Sequence, residues 1–348
     1  MEHLRTITQV LPAHPSNLFR GVTGAISTAL IVNAMTGDPR LRPLLLSGTA
    51  RLSDQAESLA ERCRVQRRGG GRHLAVADYD AVSGLAGLGR MLLLGLHSGY
   101  SPAEPGLQAA LEVLTELLTG LDDRMSGLWA SSRQDSRRGE AELGMARGVS
   151  GPLAFLSTAL SKGNYVKGQH DVIRSTAEWL LAQRYAGTWT WPASVGRGHP
   201  VGSPAPDHRW CAGSTGIATA IHLAGRALND QPLVDAGIGA LVSLDASPRG
   251  HWAVSGPALC CGYSGVLQAA LTVMSRDPDP RLKRLADSAA EGALDYWNPR
   301  TTFGFPQFRQ SGALDSPEFL DGASGIALAL YDYAHGVCSS WSALLLFR

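Results

Sequence analysis

The chain has 348 residues, with 31 Lys and Arg against 30 Asp and Glu and a net charge of +1, so it lacks the electrostatic footprint of a nucleic-acid or anionic-membrane binder. At 44% apolar and 18% charged residues it can bury a large core and falls outside the disordered class. Its longest apolar run, around Met91–Leu94, is far short of the ~20 residues that span a bilayer, and the opening MEHLRTITQV has no basic segment followed by an apolar one, so no secretory signal is expected.

From the N-terminus onward, one pattern recurs six times: Gly-x-x-Gly opening a small, apolar run that reads as helix. GVTGAISTALIV begins at Gly21, GLAGLGRMLLL at Gly84 and GVSGPLAFLSTAL at Gly148. GSTGIATAIHLAG follows at Gly213, GYSGVLQAALTV at Gly262 and GASGIALALYDYA at Gly322. The intervals of 63, 64, 65, 49 and 60 residues each hold two helices and two connections. Between the motifs lie Leu52–Arg64, Leu107–Leu118, Asp171–Gln183, Pro232–Leu244 and Arg281–Tyr296, with apolar residues at three- and four-residue spacing and polar residues opposite. The Gly-led runs are apolar or small nearly all round, the mark of a buried helix. No period-2 strand pattern of comparable strength is present. The elements predict an all-α fold, an α/α toroid in which about six helical hairpins form a double ring. They also predict a single domain over residues 1–348.

If the inner helices all run the same way, their glycine turns gather at one mouth. The helix N-termini would gather there too, with free N–H groups that favour anions and thiolates. Just ahead of the glycines stand Arg20, Asp80, Arg147, Cys211, the pair Cys260–Cys261, and Asp321. Three of the five cysteines thus share one structural slot. Paired C-x-x-C spacing is absent, and the residues leave two readings open: metal ligands, or buried inert thiols. Three protein ligands with an open fourth position would describe a catalytic zinc site rather than a structural one. The odd cysteine count argues against a disulfide framework and predicts a cytoplasmic protein. Two long loops lead into the mouth, where substrate contacts are expected. Ser126–Glu140 carries Arg133, Arg137 and Arg138; Gly187–Arg209 carries Trp189, Trp191, His199 and His208. The one adjacent acidic pair, Asp122–Asp123, falls in a connection and does not supply the facing carboxylates of a glycosidase toroid.

WCAGSTGIATAIHLAGRAL from Trp210, LCCGYSGVLQAAL from Leu259 and FLDGASGIALALYDYA from Phe319, with SSWSALLLF near the end, resemble the lanthionine synthetase C-like cyclases. The likeness is looser but in phase from Leu18 onward. It implies an α/α toroid that binds one zinc ion per chain and adds a cysteine thiol to a dehydroalanine or dehydrobutyrine. The substrate would be a dehydrated, ribosomally made precursor peptide, the product a lanthionine or methyllanthionine ring, and a dehydratase a partner. The resemblance places Cys211 and Cys260 as zinc ligands, with Cys261 third where the family has histidine. It puts Asp80 at the family's acidic position, Arg147 where the family has its catalytic histidine, and Arg209 near an arginine that precedes the first cysteine. The family counts seven repeats against six here, so an N-terminal hairpin is expected to be missing.

Arginine stays protonated near pH 7. Arg147 can therefore stabilise an enolate or pair with Asp80, but it cannot deliver a proton. His208 is the first candidate donor, followed by His199 and Tyr263, whereas His222, inside an inner helix, reads as a core residue. The expected catalytic set is Asp80, Arg147, His208 and Arg209. Two alternatives stay open: a non-catalytic scaffold that binds the precursor peptide, motivated by the missing histidine and hairpin, and addition of a small thiol such as glutathione.

Overall fold

The computed structural model describes residues 16–68, 74–121, 140–196, 199–201, 207–309 and 312–348, with 199–201, 308–309 and 312–314 described by backbone alone. Five helical hairpins follow one another: α1 (Gly21–Thr36) with α2 (Arg42–Arg68), α3 (Leu85–His97) with α4 (Glu104–Leu118), α5 (Ser150–Ser161) with α6 (Gln169–Ala182), α7 (Ser214–Leu228) with α8 (Gln231–Val242), and α9 (Tyr263–Met274) with α10 (Pro280–Leu294). Helix α11 (Ala323–His335) comes last. Every odd-numbered helix starts at a Gly-x-x-Gly motif and packs on the next odd-numbered one, and the even-numbered helices lie outside them. The predicted all-α toroid is the fold observed.

Burial follows from composition. Helix α7 is buried without a break from Ser214 to Gly225. Helix α10 buries only one stripe, Leu282, Leu285, Ala286, Ala289, Ala290, Gly292 and Ala293, at the spacing of a single helical face. Each fully buried leucine contributes about 1.5–3 kcal/mol. Helix starts are set locally: the Asp230 carboxylate accepts the Leu233 N–H at α8, and Asp279 accepts that of Arg281 at α10, satisfying otherwise orphaned donors. Helix α2 begins ten residues before the expected Leu52. The run Leu44–Leu45–Leu46 obscures the spacing there, while Pro43 suits a first helical turn.

Two small antiparallel sheets were not expected. One is β1 (Glu140–Glu142), β2 (Ser194–Gly196) and β3 (His199–Val201), in that order; the other is β4 (Gln307–Arg309) with β5 (Gly312–Leu314). Strands of three residues are too short to show a period of two.

The inner helices do share one direction, and a ladder of backbone hydrogen bonds records it. The Leu18 N–H donates to the Val82 carbonyl (2.8 Å), Ala81 to Ala146 (3.1 Å), Ala146 to Cys211 (3.0 Å), Cys211 to Cys260 (3.3 Å) and Cys260 to Leu320 (3.0 Å). Consecutive pre-glycine segments are thus laced side by side around the mouth. The seam is closed by Phe19 stacked on Phe319, with centroids 5.9 Å apart, and by Arg20 lying 4.0 Å from Glu318. Six motifs therefore complete the ring. The 3-10 turn Ser340–Leu345 packs against α1 and α3; the Trp210 indole donates to the Leu345 carbonyl (3.1 Å), and the buried Arg90 Nε donates to the Arg348 carbonyl (2.6 Å).

The glycines serve close approach. A Cβ on Gly213 would lie 2.4 Å from the Asp207 carbonyl oxygen, and one on Gly216 2.2 Å from that of Trp210. Gly262 and Gly265 repeat the offset against Gly256 and Leu259. This proximity corrects one expectation, because the first N–H groups of the inner helices are already bonded to the incoming loops. Ser214 donates to Asp207 (2.8 Å), Tyr263 to Gly256 (2.9 Å) and Ala323 to Ser316 (2.8 Å). These termini offer the mouth dipoles but not free donors. No helix among the described residues is long and apolar enough to cross a membrane.

Candidate metal centre and active site

The ladder brings the Cys211 segment beside the Cys260–Cys261 segment through the 3.3 Å Cys211 N–H to Cys260 carbonyl bond. The side chains converge accordingly. The Cys211 and Cys260 sulfurs each lie 3.5 Å from that of Cys261, and all three fall within 4.8 Å of one another, half-buried. All five cysteines are free thiols. Hydrogen bonding with Cys211, then with Cys260, and the adjacent Arg209 guanidinium pull the Cys261 thiol down to about 3. Contact with Cys260 favours the Cys211 thiolate, but contact with Cys261, burial and the Cys261 charge outweigh it and push Cys211 up to about 12. Cys260 is pushed up by the same two neighbours, Cys211 first. Three thiols from two loops within 4.8 Å of one another are a soft donor set suited to a thiophilic cation.

Arg209 completes the electrostatics. Its Nε and Nη2 donate to Asp207 Oδ1 (2.9 Å) and Oδ2 (2.5 Å), which holds the guanidinium charged and aims it while its field reaches Cys211 and Cys261. His208 sits beside it, 8% exposed, with Nδ1 unpartnered among the described residues. Burial lowers the His208 pKa, and Asp207 only partly opposes this.

On the other side of the ladder lies Asp80, 2% exposed. Its Oδ1 accepts the N–H groups of Val82 (2.9 Å), Ser83 (2.6 Å) and Gly84 (2.9 Å). Burial raises its pKa, while those three bonds and the Arg147 charge oppose the rise. Arg147 is exposed at the turn before Gly148 and makes no ion pair with Asp80 among the described residues, so that alternative falls away. Glu142, at the end of β1, is electrostatically coupled to both and was not singled out from the sequence.

Over residues 2–346 the chain matches the family model for lanthionine synthetase C-like protein. The chain belongs to the lanthionine synthetase C-like family. A solved structure titled nisin cyclase aligns with a TM-score of 0.77 at 19% sequence identity, covering 99% of this chain and 82% of that one. At that identity the likeness speaks for the toroid fold. No curated protein matches the chain.

Other expected residues of this lanthionine synthetase C-like chain are accounted for. His222 is fully buried with Nε2 2.7 Å from Asp277 Oδ2, a core residue as expected. The Tyr263 hydroxyl donates to the Arg249 carbonyl (3.2 Å), and its ring packs on Trp252 and Tyr296, so it is committed. In the Gly187–Arg209 loop, Trp191 is buried and donates to the Leu180 carbonyl (2.6 Å), while Trp189 receives the Arg184 guanidinium 4.3 Å from its ring centroid. The side chain of His199, and residues Asp122, Asp123, Arg133, Arg137 and Arg138, lie outside the described residues.

Proposed function

We propose that the chain is a zinc-dependent cyclase, adding a peptide cysteine to a dehydroalanine or dehydrobutyrine to close a lanthionine or methyllanthionine ring. The observation that carries this reading is the convergence of the Cys211, Cys260 and Cys261 sulfurs within 4.8 Å. Zinc–sulfur bonds of ~2.3 Å hold tetrahedral sulfurs about 3.8 Å apart, close to the 3.5 Å that separates Cys261 from each of its two partners. With three protein ligands the fourth position is left for substrate. A zinc ion held there would keep a substrate thiol deprotonated at neutral pH, where a free thiol of pKa ~8.5 is mostly protonated.

The remaining work falls to side chains of the mouth. Arg209, fixed by Asp207, balances the negative charge of the sulfur cluster. Addition of the thiolate to the alkene moves its π electrons toward the neighbouring carbonyl, and the exposed, always-charged Arg147 would stabilise that developing oxyanion. Asp80 fixes the turn into α3 beside it. His208 fits proton delivery poorly, since burial disfavours the imidazolium that would donate. The substrate class implies a dehydrated precursor peptide and a dehydratase that supplies it. With thiols as ligands, the reducing cytoplasm is the proposed compartment.

The test is metal analysis together with incubation of the purified protein with a dehydrated precursor peptide. About one zinc per chain and ring formation, both lost in Cys211→Ala, would support the cyclase. Zinc without any turnover would favour the second reading, a peptide-binding scaffold, to which arginine in the histidine slot lends weight. Thioether formation only with added glutathione would point to intermolecular addition.

A further inference from the structure

We propose that Glu142 is the acid that delivers the α-carbon proton in this chain, an assignment that rests on the cyclase reading above. Its place in the fold supports this. The Glu142 carbonyl accepts the Val149 N–H (2.9 Å) and lies 2.4 Å from where a Gly148 Cβ would stand, so its main chain is clamped against the turn that carries Arg147. Two residues on, a Cβ at Gly144 would stand 2.4 Å from both the Cys211 carbonyl oxygen and the Ala212 Cα, so the backbone there lies close against the Cys211 segment. Ala146 then bridges the ladder, receiving the Ala81 N–H and donating to Cys211. Residues 142–147 are therefore the segment laid between the Asp80 turn and the first sulfur ligand.

The chemistry fits the placement. Glu142 is half-buried, and its carboxyl has no hydrogen-bond partner among the described residues. The charged and titratable groups that act on it or share its surroundings are Arg147, Asp80, Glu140 and Tyr79. Burial, aided by Asp80 and Glu140, raises its affinity for a proton above that of an ordinary glutamate, and Arg147 only partly offsets this. A carboxylic acid that keeps its proton closer to neutrality and remains accessible is suited to general-acid work. Among the described side chains the competing donors are encumbered: His208 is buried, Tyr263 is bonded to a carbonyl, and one Asp80 oxygen already accepts three N–H groups.

The step balances without an oxidant. The thiolate sulfur forms a bond to the β-carbon, the C=C π pair shifts to give an enolate facing Arg147, and the Glu142 O–H bond breaks as the α-carbon C–H bond forms. The Glu142 carboxylate then regains a proton from water, matching the proton the substrate thiol gave up.

The experiment compares zinc-loaded wild type, Glu142→Gln and Glu142→Asp on a dehydrated peptide. It reads kcat, its pH profile, the stereochemistry at the new α-carbon, and zinc content. The expected result for Glu142→Gln is retained zinc, a kcat loss of about 100-fold or more, a mixture of α-carbon epimers, and disappearance of the decline in rate with rising pH that marks an essential acid. Glu142→Asp should recover part of the rate and the single epimer. Wild-type kcat and one epimer in Glu142→Gln would overturn the assignment alone, as would a slowed variant with unchanged stereochemistry and pH profile. A zinc-loaded wild type that forms no ring would overturn the cyclase reading and this assignment together.

Discussion

Asp80 carries two jobs on one carboxylate. Oδ1 closes the turn into α3 through three N–H bonds, and the carboxylate charge is felt at Arg147 without an ion pair between them. Substitution separates them. Asp80→Ala leaves three donors without their acceptor and should cost on the order of 3 kcal/mol or more of stability. Asp80→Asn keeps an oxygen in place, so its unfolding midpoint should stay near wild type while cyclisation slows. Equal midpoints for the two variants in urea unfolding would show that the turn does not depend on this side chain. Reading the slot ahead of each glycine finds Asp80, Arg147 and all three cysteines, because that slot maps directly onto the mouth. Glu142 escapes it. The residue lies six positions before Gly148, and only the three-residue strand β1 and its bond to Val149 bring it back.

At the scale of the element, Gly-x-x-Gly is a docking surface for the incoming loop. Burial and helix starts were legible there because small and apolar residues run nearly unbroken through α5, α7 and α9. The saturation of their first N–H groups was not, since it depends on a carbonyl several residues upstream folding back onto the helix. Gly216→Ala tests the point. Its methyl would stand 2.2 Å from the Trp210 carbonyl oxygen and 2.7 Å from the Met145 Cβ, so the loop that carries Cys211 must move. Overpacking of this kind costs about 1–3 kcal/mol or more. The expected outcome is a lower melting temperature and weaker metal retention in competition with a chelator. Wild-type values on both counts would show that the loop does not need this contact.

Across the whole molecule, closure is what makes six hairpin starts into one mouth. It rests on Phe19 stacked on Phe319, 300 residues away in sequence, with Trp341 edge-on to Phe319 behind it at a centroid distance of 5.8 Å. No local pattern announces such a pairing, whereas the number of repeats and their inner and outer layers were plain from spacing alone. Trp341→Ala removes a buried ring, 2% exposed, and should cost about 3–5 kcal/mol. In a closed ring, thermal unfolding stays a single transition at lower temperature; an open array would instead fray from α1, giving early hydrogen exchange at Val22–Ala29 before the rest.

The proposed chemistry requires three sulfurs, brought from two loops, to share one cation. X-ray absorption at the zinc edge on the purified full chain measures this most directly. The predicted spectrum shows about one zinc per chain with three sulfur neighbours near ~2.3 Å, reduced to two in Cys261→Ser. A shell of oxygen and nitrogen alone, or protein purified with zinc present that retains none, would contradict it.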